Sequence, residues 1–156
     1  MSDSKSKQPK VRESPQSGKI KTGGDPSSVD TQTIAWHFHR LDHQHEHWGW
    51  SKLSAKQWRE MLTQLVAFEG LTWAALQAQS GGRKHGTNHH PIEINKFCAA
   101  AKSRLITLHL DDFDTLFSLR INNTLRLYGV RDGRVLQLVW HDPHHGSKHG
   151  AYPLKQ

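Results

Sequence analysis

Two arginines, a tyrosine and a run of histidines in the last third of the chain have the types and spacing for chemistry on a phosphate. They lie in residues 116–145, LFSLRINNTLRLYGVRDGRVLQLVWHDPHH. Side chains alternate across a strand, so residues two apart share a face. Read as three strands, the segment puts Phe117, Leu119, Ile121, Leu125, Leu127, Leu136, Leu138 and Trp140 on one face. Ser118, Arg120, Arg126, Tyr128, Gln137 and His141 fall on the other. The first face reads as core.

The second face suits metal-free RNA cleavage. That reaction needs a base for the 2′-hydroxyl, cations for the charged phosphorane and an acid for the leaving 5′-oxygen. Histidine titrates near neutrality and suits base and acid. The arginine fork binds two oxygens and stays charged. On adjacent strands, Arg120 and Arg126 should reach one phosphate. His141 closes the third strand, and His144 and His145 follow in the loop, so these three are the acid–base candidates. Tyr128 can stack on a base or donate a proton. An ordinary solvated sheet face carries similar residues.

Residues 81–91, GGRKHGTNHHP, form a second candidate. Glycines allow close backbone approach to an anion. Arg83, Lys84, His89 and His90 are the residues expected to hold substrate. Pro91 falls where a helix start would offer free N–H groups to phosphate.

The chain has 13 histidines, so a metal has to be considered. Imidazoles suit zinc, nickel or copper. No pair at H-x-x-x-H spacing lies on a convincing helix, and with one cysteine there is no cysteine–histidine finger. No metal or other cofactor is therefore assigned. A metal-dependent hydrolase built on His141, Asp142 and His145 remains an alternative.

These groups must be positioned by a small fold. The chain has 156 residues, which suits one domain. Residues 1–30 are rich in Ser, Lys, Gly and Pro and read as a disordered basic tail. Residues 31–156 are expected to form a single domain. Residues 33–39 alternate as a strand. Ser54 and Gln57 fit a capping box opening a helix to about Glu69. Thr72 would cap a short second helix. Ile94, Phe97, Cys98, Ala101 and Leu105 recur at helical spacing, and residues 111–115 suggest one helical turn. Asn122-Asn123 and Asp132-Gly133 supply the turns of the meander. Trp36, Trp58, Trp73 and Trp140 read as core.

The formal charge is +7. Six of the 21 Lys and Arg and four of the 14 Asp and Glu lie in residues 1–30, so most of the excess belongs to the remainder. A basic domain points to a polyanion such as nucleic acid. Cys98 is the only cysteine, so no intrachain disulfide is possible. No apolar run approaches the ~18 residues of a membrane span. The first residues lack a signal peptide's apolar segment. The cytoplasm is the expected location.

The order of strand, helices and antiparallel meander ending in histidine resembles the RelE/ParE superfamily of small bacterial toxins. Arg120, Arg126, Asp132-Gly133 and His141 carry the likeness. The resemblance implies an α+β fold, a small antiparallel sheet with helices packed on one face. It implies an endoribonuclease that acts on messenger RNA, on the ribosome in many members, and is restrained by an antitoxin protein. A non-catalytic module binding nucleic acid or protein is the other alternative.

Overall fold

The computed structural model describes residues 29–80 and 88–153. The fold is α+β. Its three α-helices are α1 (Ala55–Glu69), α2 (Trp73–Gln77) and α3 (Ala99–Thr107). The strands are β1 (Ala35–His37), β2 (His90–Glu93), β3 (Thr115–Arg120), β4 (Arg126–Asp132) and β5 (Val135–Asp142). They form one mixed sheet in the order β1-β5-β4-β3-β2. Only the β1–β5 pairing is parallel.

The helix starts follow the local sequence. The Ser54 side chain accepts a hydrogen bond from Gln57 N–H, and the Gln57 side chain accepts one from Ser54 N–H. This reciprocal cap satisfies two N–H groups that a helix start leaves unpaired. Thr72 caps α2 by accepting from Ala75 N–H. Phe97 and Cys98 precede α3 rather than lie within it, and residues 111–115 hold a turn leading into β3 instead of a helical turn.

Both faces of the sheet are covered. Met61, Leu65 and Phe68 of α1, with Trp73 and Leu76 of α2, pack against Phe117, Leu119, Leu127, Leu136 and Leu138. On the opposite face, Ala101 and Leu105 of α3, with Trp48, Phe97 and Leu110, pack against Leu116, Tyr128, Val130 and Trp140. Helices on one face only was the expectation; α3 supplies a second layer. The reason is visible in the alternation. Leu116, Val130 and Val139 interrupt the polar face with apolar groups that must be buried.

A bulge in β5 changes the parity of its last residues. Tyr128 pairs with Trp140, but Gly129 pairs with Leu138, so Val139 is an extra residue. A Cβ on Gly129 would meet the Gln137 carbonyl oxygen at 2.6 Å, so this close crossing requires glycine. Beyond the bulge, Trp140 turns to the α3 side and His141 to the α1 side. The sequence expectation had them the other way round.

One tryptophan read as core departs from expectation, and two left unassigned are core. Trp58 is 36% exposed at the edge of the α1 stripe, and Trp48 and Trp50 are buried in the two core layers. No helix among the described residues is long and apolar enough to cross a membrane.

Candidate functional site

The end of the β3–β4 hairpin brings two guanidiniums together. Arg120 and Arg126 are partners in register. Arg126 is 9% exposed, and its Nη1 donates to the carbonyl oxygens of Asn122 at 2.5 Å and Leu125 at 3.3 Å. Burial pushes its pKa down, and the Arg120 charge adds to the effect. Arg120 donates from Nη1 to Asn88 Oδ1 (3.1 Å) and from Nη2 to Asn123 Oδ1 (2.7 Å). Among the described residues, neither arginine forms an ion pair. Two adjacent guanidiniums held by neutral oxygens leave their charge available to an anion.

Asp142 faces Arg126 in register, but its carboxylate is committed elsewhere. Oδ1 accepts from His144 N–H and Oδ2 from Ala151 N–H, both at 2.8 Å. Asp142 is fully buried, which raises its pKa, and these backbone donors partly offset that rise. The two bonds clamp residues 143–151 onto the end of the sheet. His145 N–H, donating to Thr124 O at 3.0 Å, adds a third tie.

This loop sets His145 beside the arginines. Its pKa is pushed down to about 4, first by burial and then by Arg126, Arg120 and His90. Its Nδ1 is buried and has no hydrogen-bond partner. That nitrogen is out of a ligand's reach, but the residue is half-buried, and a neutral imidazole next to two cations can accept a proton from a bound group at its other ring nitrogen.

His89 has another role. It is 2% exposed; Nδ1 accepts from Arg120 N–H at 3.0 Å, and Nε2 meets Gln79 Oε1 at 3.0 Å. That pattern requires a proton on Nε2 and none on Nδ1. His89 therefore props the β3 end that carries Arg120, and it is too buried to touch substrate as expected. His90, next along β2, is exposed and is within electrostatic reach of both His89 and His145.

The other expected residues separate. His141 is 1% exposed, on the α1 side of the sheet, with its ring 6.0 Å from that of Trp50. It cannot join the arginines on the opposite face. The same displacement divides the trio His141, Asp142 and His145 offered as a metal site. Among the described residues, no group of three His, Cys, Asp or Glu is placed to hold a metal ion. His144 packs its ring against His47 (5.7 Å) and His149 (5.8 Å). Tyr128 is fully buried on the same face of β4 as Arg126, and burial pushes its pKa up. That excludes it as a stacking platform and makes it a floor to the site. Arg83 and Lys84 lie outside the described residues, as do residues 1–28 of the tail.

Sequence reasoning missed two supports. Asn88 and Asn123 hold the Arg120 fork, and nothing in their local pattern marks them. Asp42 ties three segments: it accepts from Arg104 Nε (2.8 Å) and Nη2 (2.7 Å), from Trp140 Nε1 (2.9 Å) and from the N–H groups of Gln44 and His45. An aspartate starting a polar loop is a recognised Asx-turn signal, but its long-range partners are invisible in sequence.

The buried imidazoles make stability depend on pH. Burial pushes both His89 and His141 down to about 4. Folding therefore favours their neutral forms. The unfolded chain takes up protons below about 6.5, so this stability is present above that pH and is lost as pH falls toward 4. The unfolding free energy from urea titration should be flat near neutrality and fall between pH 6.5 and 4, by up to ~3 kcal/mol per histidine. Asp142, raised by burial, acts in the opposite sense, so the His141→Leu variant is the cleaner comparison. It should show a shallower slope; an identical slope would contradict the burial of a neutral His141.

Comparison with protein families, with curated proteins and with solved structures finds no match for this chain.

Proposed function

We propose that the chain is a RelE/ParE-like endoribonuclease that cleaves RNA without a metal. One observation carries this: Arg120 and Arg126 lie side by side without an ion pair among the described residues, next to the half-buried imidazole of His145. The scissile phosphate binds the two guanidiniums. His145, neutral at physiological pH, takes the proton of the 2′-hydroxyl. The 2′-oxygen attacks phosphorus, the P–O5′ bond breaks, and the leaving oxygen is protonated. His90, an exposed imidazole within electrostatic reach of His145, supplies that proton. The products are a 2′,3′-cyclic phosphate and a 5′-hydroxyl.

The reaction takes place in the cytoplasm, on messenger RNA with the ribosome as one setting, and an antitoxin protein restrains it. The basic charge of the chain supports a polyanionic substrate.

The test is His145→Ala in a purified cleavage assay. General acid–base groups contribute about 10²- to 10⁴-fold, so a loss of at least ~10²-fold is expected with unfolding unchanged. Cleavage at the wild-type rate would remove His145 from the mechanism.

A phosphate-binding module without chemistry is the second reading. It is favoured by the burial of Tyr128 and His141, which leaves His144 and His145 of the four acid–base groups expected. Tight RNA binding with no product on prolonged incubation would establish it.

A further inference from the structure

A cavity of about 400 Å³ opens along the outer strand β2, lined by His90, Pro91, Ile92, Glu93, Lys96, Thr115 and Tyr152. β2 is the edge of the sheet, and its partner β3 carries Arg120. His90 is a wall of the cavity and also lies within electrostatic reach of His145. His90 pairs with Ser118, two residues before Arg120, so one end of the cavity lies near the arginine strand end, while Glu93 pairs with Thr115 at the far end of β3. The proposed cleavage mechanism uses none of the cavity's other residues.

Its lining suits a flat heteroaromatic group. Tyr152 is half-buried and fixed edge-on to Phe97, with ring centroids 5.9 Å apart. Phe97 is in turn edge-on to Tyr128 at 5.2 Å, so the core holds this aromatic row in place. Ile92 gives an apolar floor, 6% exposed. At the rim, Glu93 and Lys96 pair at 3.7 Å with more than half of each side chain exposed. The volume lies in the ~300–1,000 Å³ range of small-ligand sites.

We infer that this cavity holds one unpaired base of the RNA that flanks the cleavage site, and prefers guanine. This rests on the reading of the arginine pair as a phosphate site. Single-stranded RNA is read by stacking splayed bases on aromatic rings and by hydrogen bonds to their edges. The Tyr152 ring supplies the stack. The Glu93 carboxylate accepts from the N1–H and exocyclic N2–H of guanine, two adjacent donors that cytosine, adenine and uracil do not present together. Lys96 releases the carboxylate to the base and moves to a neighbouring phosphate.

The experiment is fluorescence titration of the full chain with 2′-O-methyl hexanucleotides, which cannot be cleaved, of G-containing and G-free sequence. Wild type should bind the G-containing strand more tightly. Tyr152→Ala should weaken binding of both strands about tenfold, and Tyr152→Phe, which keeps the ring, should not. Glu93→Gln should abolish the preference for G. Thermal unfolding of each variant checks that the fold survives. Equal binding of both strands by wild type, or tight binding that Tyr152→Ala leaves unchanged, overturns the base site alone. No binding of either strand overturns the phosphate reading with it.

Discussion

Arg126→Ala is expected to lower RNA cleavage by about 10²- to 10³-fold, the loss seen when one pre-placed donor to a developing anion is removed. The effect should be large because Arg126 is the more buried of the two cations, at 9% exposure, so its charge acts in a low dielectric. Arg120 is held by amide oxygens alone and cannot take over the lost position. Folding should suffer less. The Arg126 hydrogen bonds end on the turn carbonyls of Asn122 and Leu125, not on a buried carboxylate that would be stranded. Its removal also relieves a like-charge contact with Arg120. Arg126→Lys keeps the charge but loses the fork, and should recover only part of the rate. Initial rates on a labelled RNA beside urea unfolding check both halves. A large loss of stability with an unchanged rate would reverse the assignment.

Asp42→Ala should produce the largest fall in stability of any single substitution considered. Asp42 is 2% exposed, and burial alone would raise its pKa. The Arg104 and Trp140 hydrogen bonds and the Gln44 N–H overcome that and hold it at about 2. Alanine leaves the Arg104 guanidinium, the Trp140 indole N–H and two backbone N–H groups without their acceptor. Breaking a buried ion pair in this way costs about 3–5 kcal/mol. Arg104 is more exposed than Asp42, 22% against 1% of the side chain, so it can reach water and the lower end of that range applies. Replacing Arg104 as well, by methionine, should recover part of the loss. Denaturant midpoints of the three variants measure this. A loss below about 1 kcal/mol for Asp42→Ala would mean that the carboxylate does not tie α3 to β5.

How much of this was legible in the sequence varies by element. The Ser54–Gln57 box and the Thr72 cap act through neighbouring residues, so the starts of α1 and α2 could be read directly, whereas α3 has no side-chain cap to mark its start. Alternation likewise placed Phe117, Leu119, Leu127 and Leu136 on one buried face. It also put Arg120 and Arg126 on the same side of adjacent strands, because pairing across a short turn preserves parity. Strict alternation failed at Val139, where one extra residue carried His141 through the sheet and brought Trp140 to the other face. No local pattern announces that bulge except Gly129 on the facing strand. The start of β2 was read as part of a glycine-rich loop ending at Pro91; its pairing with β3 overrides that reading. His145 reaches the arginines because Asp142 folds the loop back. Gly150 permits this, since a Cβ there would meet the His144 carbonyl oxygen at 2.8 Å. Such long-range ties depend on the folded chain as a whole.

The central claim is that the arginine pair and His145 cut RNA. Brief induction of the chain in a bacterial host, followed by mapping of new RNA 5′ ends, tests it most directly, with the Arg126→Ala/His145→Ala double variant run alongside. Discrete new 5′-hydroxyl ends with the wild type only are expected. Intact RNA with both proteins soluble and equally expressed, or the same ends from both, would contradict it.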